Sequence, residues 1–225
     1  MDLESGIIQT HQGIKFSADS FGPLDETFLH QIHFAGYDLR GKTVVTGGAY
    51  VGDTPLYFSY YGATVYAFEP DPVSFGKANR NILLNPELKE RITLKNYAIG
   101  KDEEINFPLT RDSGSSGLYT RQGTSTINVQ SKSVSSIIDE FSISEPYLLD
   151  LDIKGEEFTI VNDPAVSNFK KVRIEYSPYL FKDSNKSPEI LIEKLKALGF
   201  TKFRLYKHNN LRFDLQSHGT IECEQ

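Results

Sequence analysis

The chain has 225 residues, with 24 Lys and Arg against 30 Asp and Glu, a formal net charge of −6 and a pI near 5.4. That balance argues against a protein held to nucleic acid by broad phosphate neutralisation. At 39% hydrophobic and 24% charged residues the composition is that of a globular protein, and a single cysteine, Cys223, excludes an intramolecular disulfide framework or a multi-cysteine zinc site.

A lone thiol fits a reducing compartment. Residues 1–6 lack the basic and apolar regions of a signal peptide, and no run approaches the roughly 18 apolar residues of a membrane span. The expectation is a soluble, unprocessed, cytoplasmic protein with no membrane partner. Nothing in the sequence sets an oligomeric state.

Residues 1–40 read as a cap segment, with Asp25 a candidate N-cap for a helix that carries Phe28, Leu29 and Ile32 and ends at Gly36. From Thr43 onward short apolar runs alternate with helix-like stretches. The runs are Thr43–Thr46, Val65–Phe68, Ile92–Leu94, Tyr147–Ile153, Val172–Ile174 and Phe203–Tyr206, a pattern of βαβ units in a parallel sheet. After the first run comes a glycine turn, Gly48-x-x-x-Gly52, leading into a helix. Glycines there let backbone amides and a helix N-terminus approach a ligand closely. Ala49 stands where a dinucleotide fingerprint starting at Gly47 needs its second glycine, which disfavours a nicotinamide oxidoreductase. The second run ends at Glu69, 21 residues beyond Gly48. A carboxylate near that offset accepts hydrogen bonds from both ribose hydroxyls of an adenosine ligand.

Asp71-Pro72 supplies an N-cap with proline at the first helical position and Asn85-Pro86 a stop, so a helix is predicted over about 72–84. Between Ile105 and Val129 two alternating flanks enclose the glycine- and serine-rich run Arg111–Gly117, which reads as a hairpin insertion with a mobile tip carrying Tyr119. Ser187-Pro188 opens a further helix bearing Ile190, Leu191, Leu195 and Leu198, closed by Gly199. Lys194, Lys196, Lys202, Arg204 and Lys207 read as protection of a late strand edge. The five histidines lack metal-ligand spacing apart from His30-x-x-His33, so no metal is assigned. Tyr50, Tyr176 and Tyr179 are the aromatics placed near a pocket.

The runs GGAYVGDT, VYAFEPDP, NRNILLN, NYAIG and LLDLDIKGEE together resemble the FkbM-type family of S-adenosylmethionine-dependent methyltransferases, over about Leu39 to Tyr179. The resemblance implies an α/β Rossmann-like class I methyltransferase fold over residues 41–225: a mostly parallel seven-stranded sheet, helices on both faces, and a β-hairpin insertion. It implies S-adenosylmethionine as cofactor, its methionine end at Thr46, Gly48, Ala49, Tyr50, Gly52 and Asp53, its ribose at Glu69 beside Pro70, and its base near Asn96 and Ala98. It also implies methyl transfer to oxygen, with a small-molecule or sugar hydroxyl as acceptor.

The sequence departs from the family pattern where Asp is usual at Thr46 and where Lys-x-Asp-x-Glu-Gly-x-Glu becomes Asp150-Leu151-Asp152-Ile153-Lys154-Gly155-Glu156-Glu157. Asp150 and Asp152 share a face of a regular strand, and such a pair could share a proton, engage Lys154 or hold a cation. The family's Leu-Asp before the next helix is Val134-Ser135, with Ser135 or Ser136 as N-cap. Asp152 and then Glu175, at strand ends, are the candidate catalytic residues. Two alternatives stay open. A tRNA or RNA methyltransferase shares EPDP and NRNILLN, although Asp152-Ile153-Lys154-Gly155 lacks the Asn/Asp-Pro-Pro-aromatic clamp for base amines. A non-catalytic binding module on the same fold is made credible by Thr46.

Overall fold

The computed structural model describes residues 6–24, 27–28, 37–109, 125–180, 186–207, 215–216 and 218–225. Two short strands, β1 (Ile7–Gln9) and β2 (Lys15–Ser17), pair antiparallel ahead of the main sheet. There follow β3 (Thr43–Gly47), α1 (Asp53–Tyr60), β4 (Thr64–Phe68), α2 (Pro72–Leu83), α3 (Pro86–Lys89) and β5 (Ile92–Lys95). The chain then forms β6 (Ala98–Ile99), β7 (Glu103–Pro108), β8 (Thr126–Lys132), α4 (Val134–Glu140), β9 (Pro146–Leu151) and α5 (Glu157–Ile160). It ends with β10 (Lys171–Tyr176), α6 (Pro188–Ala197), β11 (Lys202–Tyr206) and β12 (Gly219–Glu224).

Seven strands form one sheet in the order β5-β4-β3-β9-β10-β12-β11. The first five run parallel, while β12 is antiparallel to both of its neighbours. The alternation of side chains along the strands feeds two cores. On one face Val45, Leu149, Val172 and Ile174 pack with Ile137 of α4, Phe158 of α5, and Leu191 and Leu195 of α6. On the other, Val44, Val65 and Leu148 pack with Leu56 of α1, Ile82 of α2, and Phe16 and Phe28 of the first forty residues. Helices therefore cover both faces of a mostly parallel sheet. The hairpin insertion is β7 paired antiparallel with β8, joined by β6 into a separate three-stranded sheet.

The caps explain where the helices begin. The Asp71 side chain accepts from the Val73 and Ser74 amides at the start of α2, and the Ser187 hydroxyl accepts from the Ile190 amide at the start of α6. Three details differ from the sequence reading. Asn85-Pro86 ends one helix and also starts another, because proline at the first helical position suits both roles. The N-cap of α4 is Ser133, whose hydroxyl accepts from Ser136 N at 3.0 Å, whereas Ser135 donates its hydroxyl to Asp163 at 2.6 Å. Strands β1, β2, β6 and β12 were not predicted. The predicted helix from Asp25 to Gly36 lies outside the described residues apart from Thr27 and Phe28, and Tyr119 with the tip at 110–124 lies wholly outside them. As the edge strand of the sheet, β11 carries Lys202 and Arg204.

Candidate active site

The carboxyl ends of β3, β4 and β9 meet at the turn after β3, and β10 lies on the far side of β9. Gly48 has φ +88° and Gly52 φ +87°, in the left-handed region that favours glycine. At Gly48 a Cβ would lie 2.0 Å from the carbonyl oxygen of Asp152, so the turn packs directly on the chain leaving β9. Tyr50 adopts φ +45°, a costly conformation for a residue with a side chain. The turn is held by β4: Gly48 N and Ala49 N both donate to Phe68 O, at 3.0 and 3.1 Å.

Glu69 completes that hold. Its Oε2 accepts from Tyr50 N at 2.8 Å and its Oε1 from Asp71 N at 2.9 Å. Each carboxylate oxygen has two acceptor positions, so these bonds fix the group and leave one position on each oxygen for a diol. Burial pushes the Glu69 carboxyl up to about 7, with the two amides opposing. Asn96 donates to the carbonyls of Glu69 at 2.7 Å and Pro70 at 3.0 Å, and so fixes the loop that carries the acid. The Ala98 side chain packs against Phe107 and Val129 under the hairpin. Asp53 begins α1, with its carboxylate accepting from the Thr27 hydroxyl at 2.5 Å.

Thr46 lies below the turn. Its fully buried hydroxyl donates to Asp150 Oδ2 at 2.9 Å, and Asp150 Oδ1 accepts from Arg173 Nη1 at 2.7 Å. Thr46, Asp150 and Arg173 are register partners on adjacent strands, so a polar row crosses β3, β9 and β10 beside the apolar Val44 and Leu148. The two departures at 46 and 150 are therefore one feature. A hydroxyl and a carboxylate face each other, and Arg173 supplies the compensating cation. The Thr46 hydroxyl is directed at Asp150 rather than at the turn.

Beyond the strand ends, Asp152 and Asp150 part company. The Asp152 carboxylate is about one-third exposed, with Lys154 Nζ 3.9 Å away. Lys154 makes its shorter contact, 2.8 Å, to Glu175 Oε1. Its partial burial, and then the negative charge of Glu175, push the Asp152 carboxyl up to about 7 against the pull of Lys154. His218 lies 3.7 Å from Glu175 Oε1 through Nε2, while its Nδ1 is 3.1 Å from the carbonyl of Tyr176. Tyr179, 44% exposed, stands edge-on to the imidazole at 5.8 Å. Glu157 is fully buried and accepts from Gly155 N at 2.6 Å and Ser177 N at 2.9 Å, tying the loop after β9 to the end of β10. Among the described residues no group of three or more His, Cys, Asp or Glu is placed to hold a metal ion.

A family model of the methyltransferase FkbM domain matches residues 47–202, the stretch that contains the turn, Glu69, Asp152 and Glu175. The chain belongs to the FkbM methyltransferase family. Several solved structures share the fold of this FkbM methyltransferase. The METTL16 methyltransferase domain is 14% identical with a TM-score of 0.52, covering 90% of this chain and 68% of that one. The N-terminal domain of human METTL16 in complex with SAH is 12% identical with a TM-score of 0.52, covering 90% and 70%. EvdMO1 is 11% identical with a TM-score of 0.50, covering 90% of this chain and 41% of that one. At these identities the likeness establishes the class I methyltransferase fold. No curated protein matches the chain closely, and no helix among the described residues is long and apolar enough to cross a membrane.

Two members of this site carried no sequence signal strong enough to single them out. His218 reaches Glu175 only because β12 pairs with β10, placing Thr220 opposite Glu175. Arg173 was legible only as a charge inside an apolar run.

Proposed function

We propose that this methyltransferase uses S-adenosylmethionine to methylate a hydroxyl of a neutral small molecule or sugar, with Asp152 as the base. The observation that carries the reading is Asp152 itself: a carboxylate at the carboxyl end of β9, backed onto the glycine turn through its own main chain, partly exposed, and poised near neutral pH. A general base works best with a pKa close to the operating pH.

The residues present suit the cofactor at its ribose end. Glu69 keeps acceptor positions available after binding two amides, and its deep setting would make a diol bond strong. Gly48, Ala49, Tyr50, Gly52 and Asp53 would line the methionine end, Pro70 would flank the ribose, and Asn96 and Ala98 would set the base-side loop. Thr46 receives no direct role, since its hydroxyl is committed to Asp150. When bound, S-adenosylmethionine supplies a methyl group activated by a sulfonium. Asp152 would orient the acceptor hydroxyl and take its proton as the oxygen–methyl bond forms, leaving the sulfonium carbon–sulfur bond broken and the proton on the carboxylate. The Lys154–Glu175 pair would hold Asp152 in place from the far side. Two carboxylates against one ammonium make this rim unfavourable to polyanions, which supports a neutral acceptor over RNA.

The test is S-adenosylhomocysteine release from S-adenosylmethionine against two panels, one of sugars and small alcohols and one of tRNA and other RNA. Turnover in the first panel, lost in Asp152→Asn while S-adenosylhomocysteine affinity is retained, is the expected result. Turnover on RNA alone, or an Asp152→Asn variant of full activity, would overturn the assignment.

A further inference from the structure

The motif Asn79–Asn85 is not absorbed by the chemistry above, yet it contains a side chain that reaches the glycine turn. Asn81, fully buried on α2, uses both amide donors and its acceptor oxygen. Its Oδ1 accepts from Ser17 N at 2.8 Å, and Ser17 Oγ, which donates to Asp19 at 2.6 Å, lies 3.0 Å away. Its Nδ2 donates to Ser20 Oγ at 2.9 Å and to the carbonyl of Val51 at 2.8 Å. Val51 lies between Tyr50 and Gly52, the two consecutive points where the turn enters the left-handed region on either side of it. The turn is thus gripped from two directions: Glu69 holds the amide of Tyr50 and Asn81 holds the carbonyl of Val51. Backbone in such a conformation persists only where its surroundings over-determine it.

A second contact runs the same way. Thr27, from the first forty residues, donates to Asp53 at the first position of α1. Four residues on, between α2 and α3, Asn85 makes a similar bridge without touching the glycine turn: it accepts from Lys15 N and donates to Lys15 O and Asn81 O, all at 2.8 Å. We infer that Asn81 is a positioning residue for the cofactor turn, coupling Ser17 and Ser20 of the N-terminal segment to the conformation of Tyr50–Gly52. The functional part of this inference rests on reading the turn as the S-adenosylmethionine site.

Asn81→Asp and Asn85→Asp form a matched pair. Each keeps its acceptor oxygen and loses two donated bonds, but only the first releases the turn. Titration with S-adenosylhomocysteine should show affinity reduced about tenfold in Asn81→Asp, the size expected for one lost hydrogen bond at the site, and nearly unchanged in Asn85→Asp. Amide hydrogen exchange at Tyr50 and Gly52 in the ligand-free proteins should quicken only in Asn81→Asp. Equal effects of the two variants on affinity and exchange would overturn the inference. If the wild type binds no S-adenosylhomocysteine, the cofactor reading fails by itself, and exchange alone judges Asn81, with unchanged protection at Tyr50 and Gly52 overturning its role. Should Asn81→Asp fail to fold, Ser20→Ala removes one anchor of the same amide. Faster exchange at the turn would support the coupling, and unaltered exchange would refute it.

Discussion

Replacing Thr46 separates a residue that faces ligand from one that sustains the sheet. Thr46→Asp would restore the acid usual in the family, but the structure sets it against Asp150 at a register pair. The variant loses the 2.9 Å bond to Asp150 Oδ2, worth about 1.5–3 kcal/mol for a charged acceptor. It also brings two buried carboxylates together, so one must be protonated at pH 7, which costs about 4 kcal/mol from an ordinary Asp pKa. The protonated carboxyl can donate to its neighbour in place of the lost hydroxyl, and the Arg173–Asp150 contact at 2.7 Å is common to both proteins, leaving a net loss of about 4 kcal/mol. Thr46→Val leaves one acceptor position on Asp150 unmet, for about 1–3 kcal/mol. Thr46→Ser keeps the donor and should cost about 1 kcal/mol for the lost methyl. Urea unfolding at pH 7 should therefore rank wild type, Ser, Val and Asp in falling order of stability. An Asp variant as stable as the wild type, binding S-adenosylhomocysteine more tightly, would refute the polar row and return Thr46 to the cofactor pocket.

Gly48→Ala should abolish S-adenosylhomocysteine binding in a protein that still shows native secondary structure by circular dichroism, because its Cβ would lie 2.0 Å from Asp152 O in a backbone conformation of φ +88°; retained affinity would show that the turn can yield. The pH profile of the methyl transfer rate should rise through about 7 in the wild type as Asp152 loses its proton, since the carboxylate is the active form and its pKa is raised. Asp152→Asn should lower the rate about a hundredfold or more and remove that rise. Affinity for S-adenosylhomocysteine should also strengthen with pH up to about 7, because a ribose diol selects the ionised form of Glu69 and binding expels the proton that its raised pKa retains. Calorimetry near pH 6 in buffers of different ionisation enthalpy would detect that proton, and buffer-independent heats would contradict it.

Much of the fold was legible because its signals are local. Asp71-Pro72 and Ser187-Pro188 each place a cap oxygen and a preset proline within two residues, and both helices begin there. The glycine turn and Glu69 were also readable, since φ above zero and a fixed offset leave a mark in the chain. What escaped depends on pairing across the sheet. Strand β12 carries the brief alternation Ile221-Glu222-Cys223-Glu224 in place of the apolar runs that mark the parallel strands, so neither the strand nor His218 at its entrance was singled out. The hydroxyl contact of Thr46 was hidden for the same reason: Asp150 is 104 residues away and becomes its neighbour only through strand register. Asn81 had no reading beyond its motif, because the carbonyl it serves is 30 residues upstream in a turn.

Calorimetric titration of S-adenosylhomocysteine into the wild type and Glu69→Gln at pH 7.5 tests the cofactor site most directly. The wild type should bind. The variant, whose amide cannot both accept from Tyr50 N and Asp71 N and serve the ribose, should bind about tenfold to a hundredfold more weakly while remaining folded. A folded wild type that binds neither S-adenosylhomocysteine nor S-adenosylmethionine, or a variant of unaltered affinity, would contradict the assignment of this turn and carboxylate as the cofactor site.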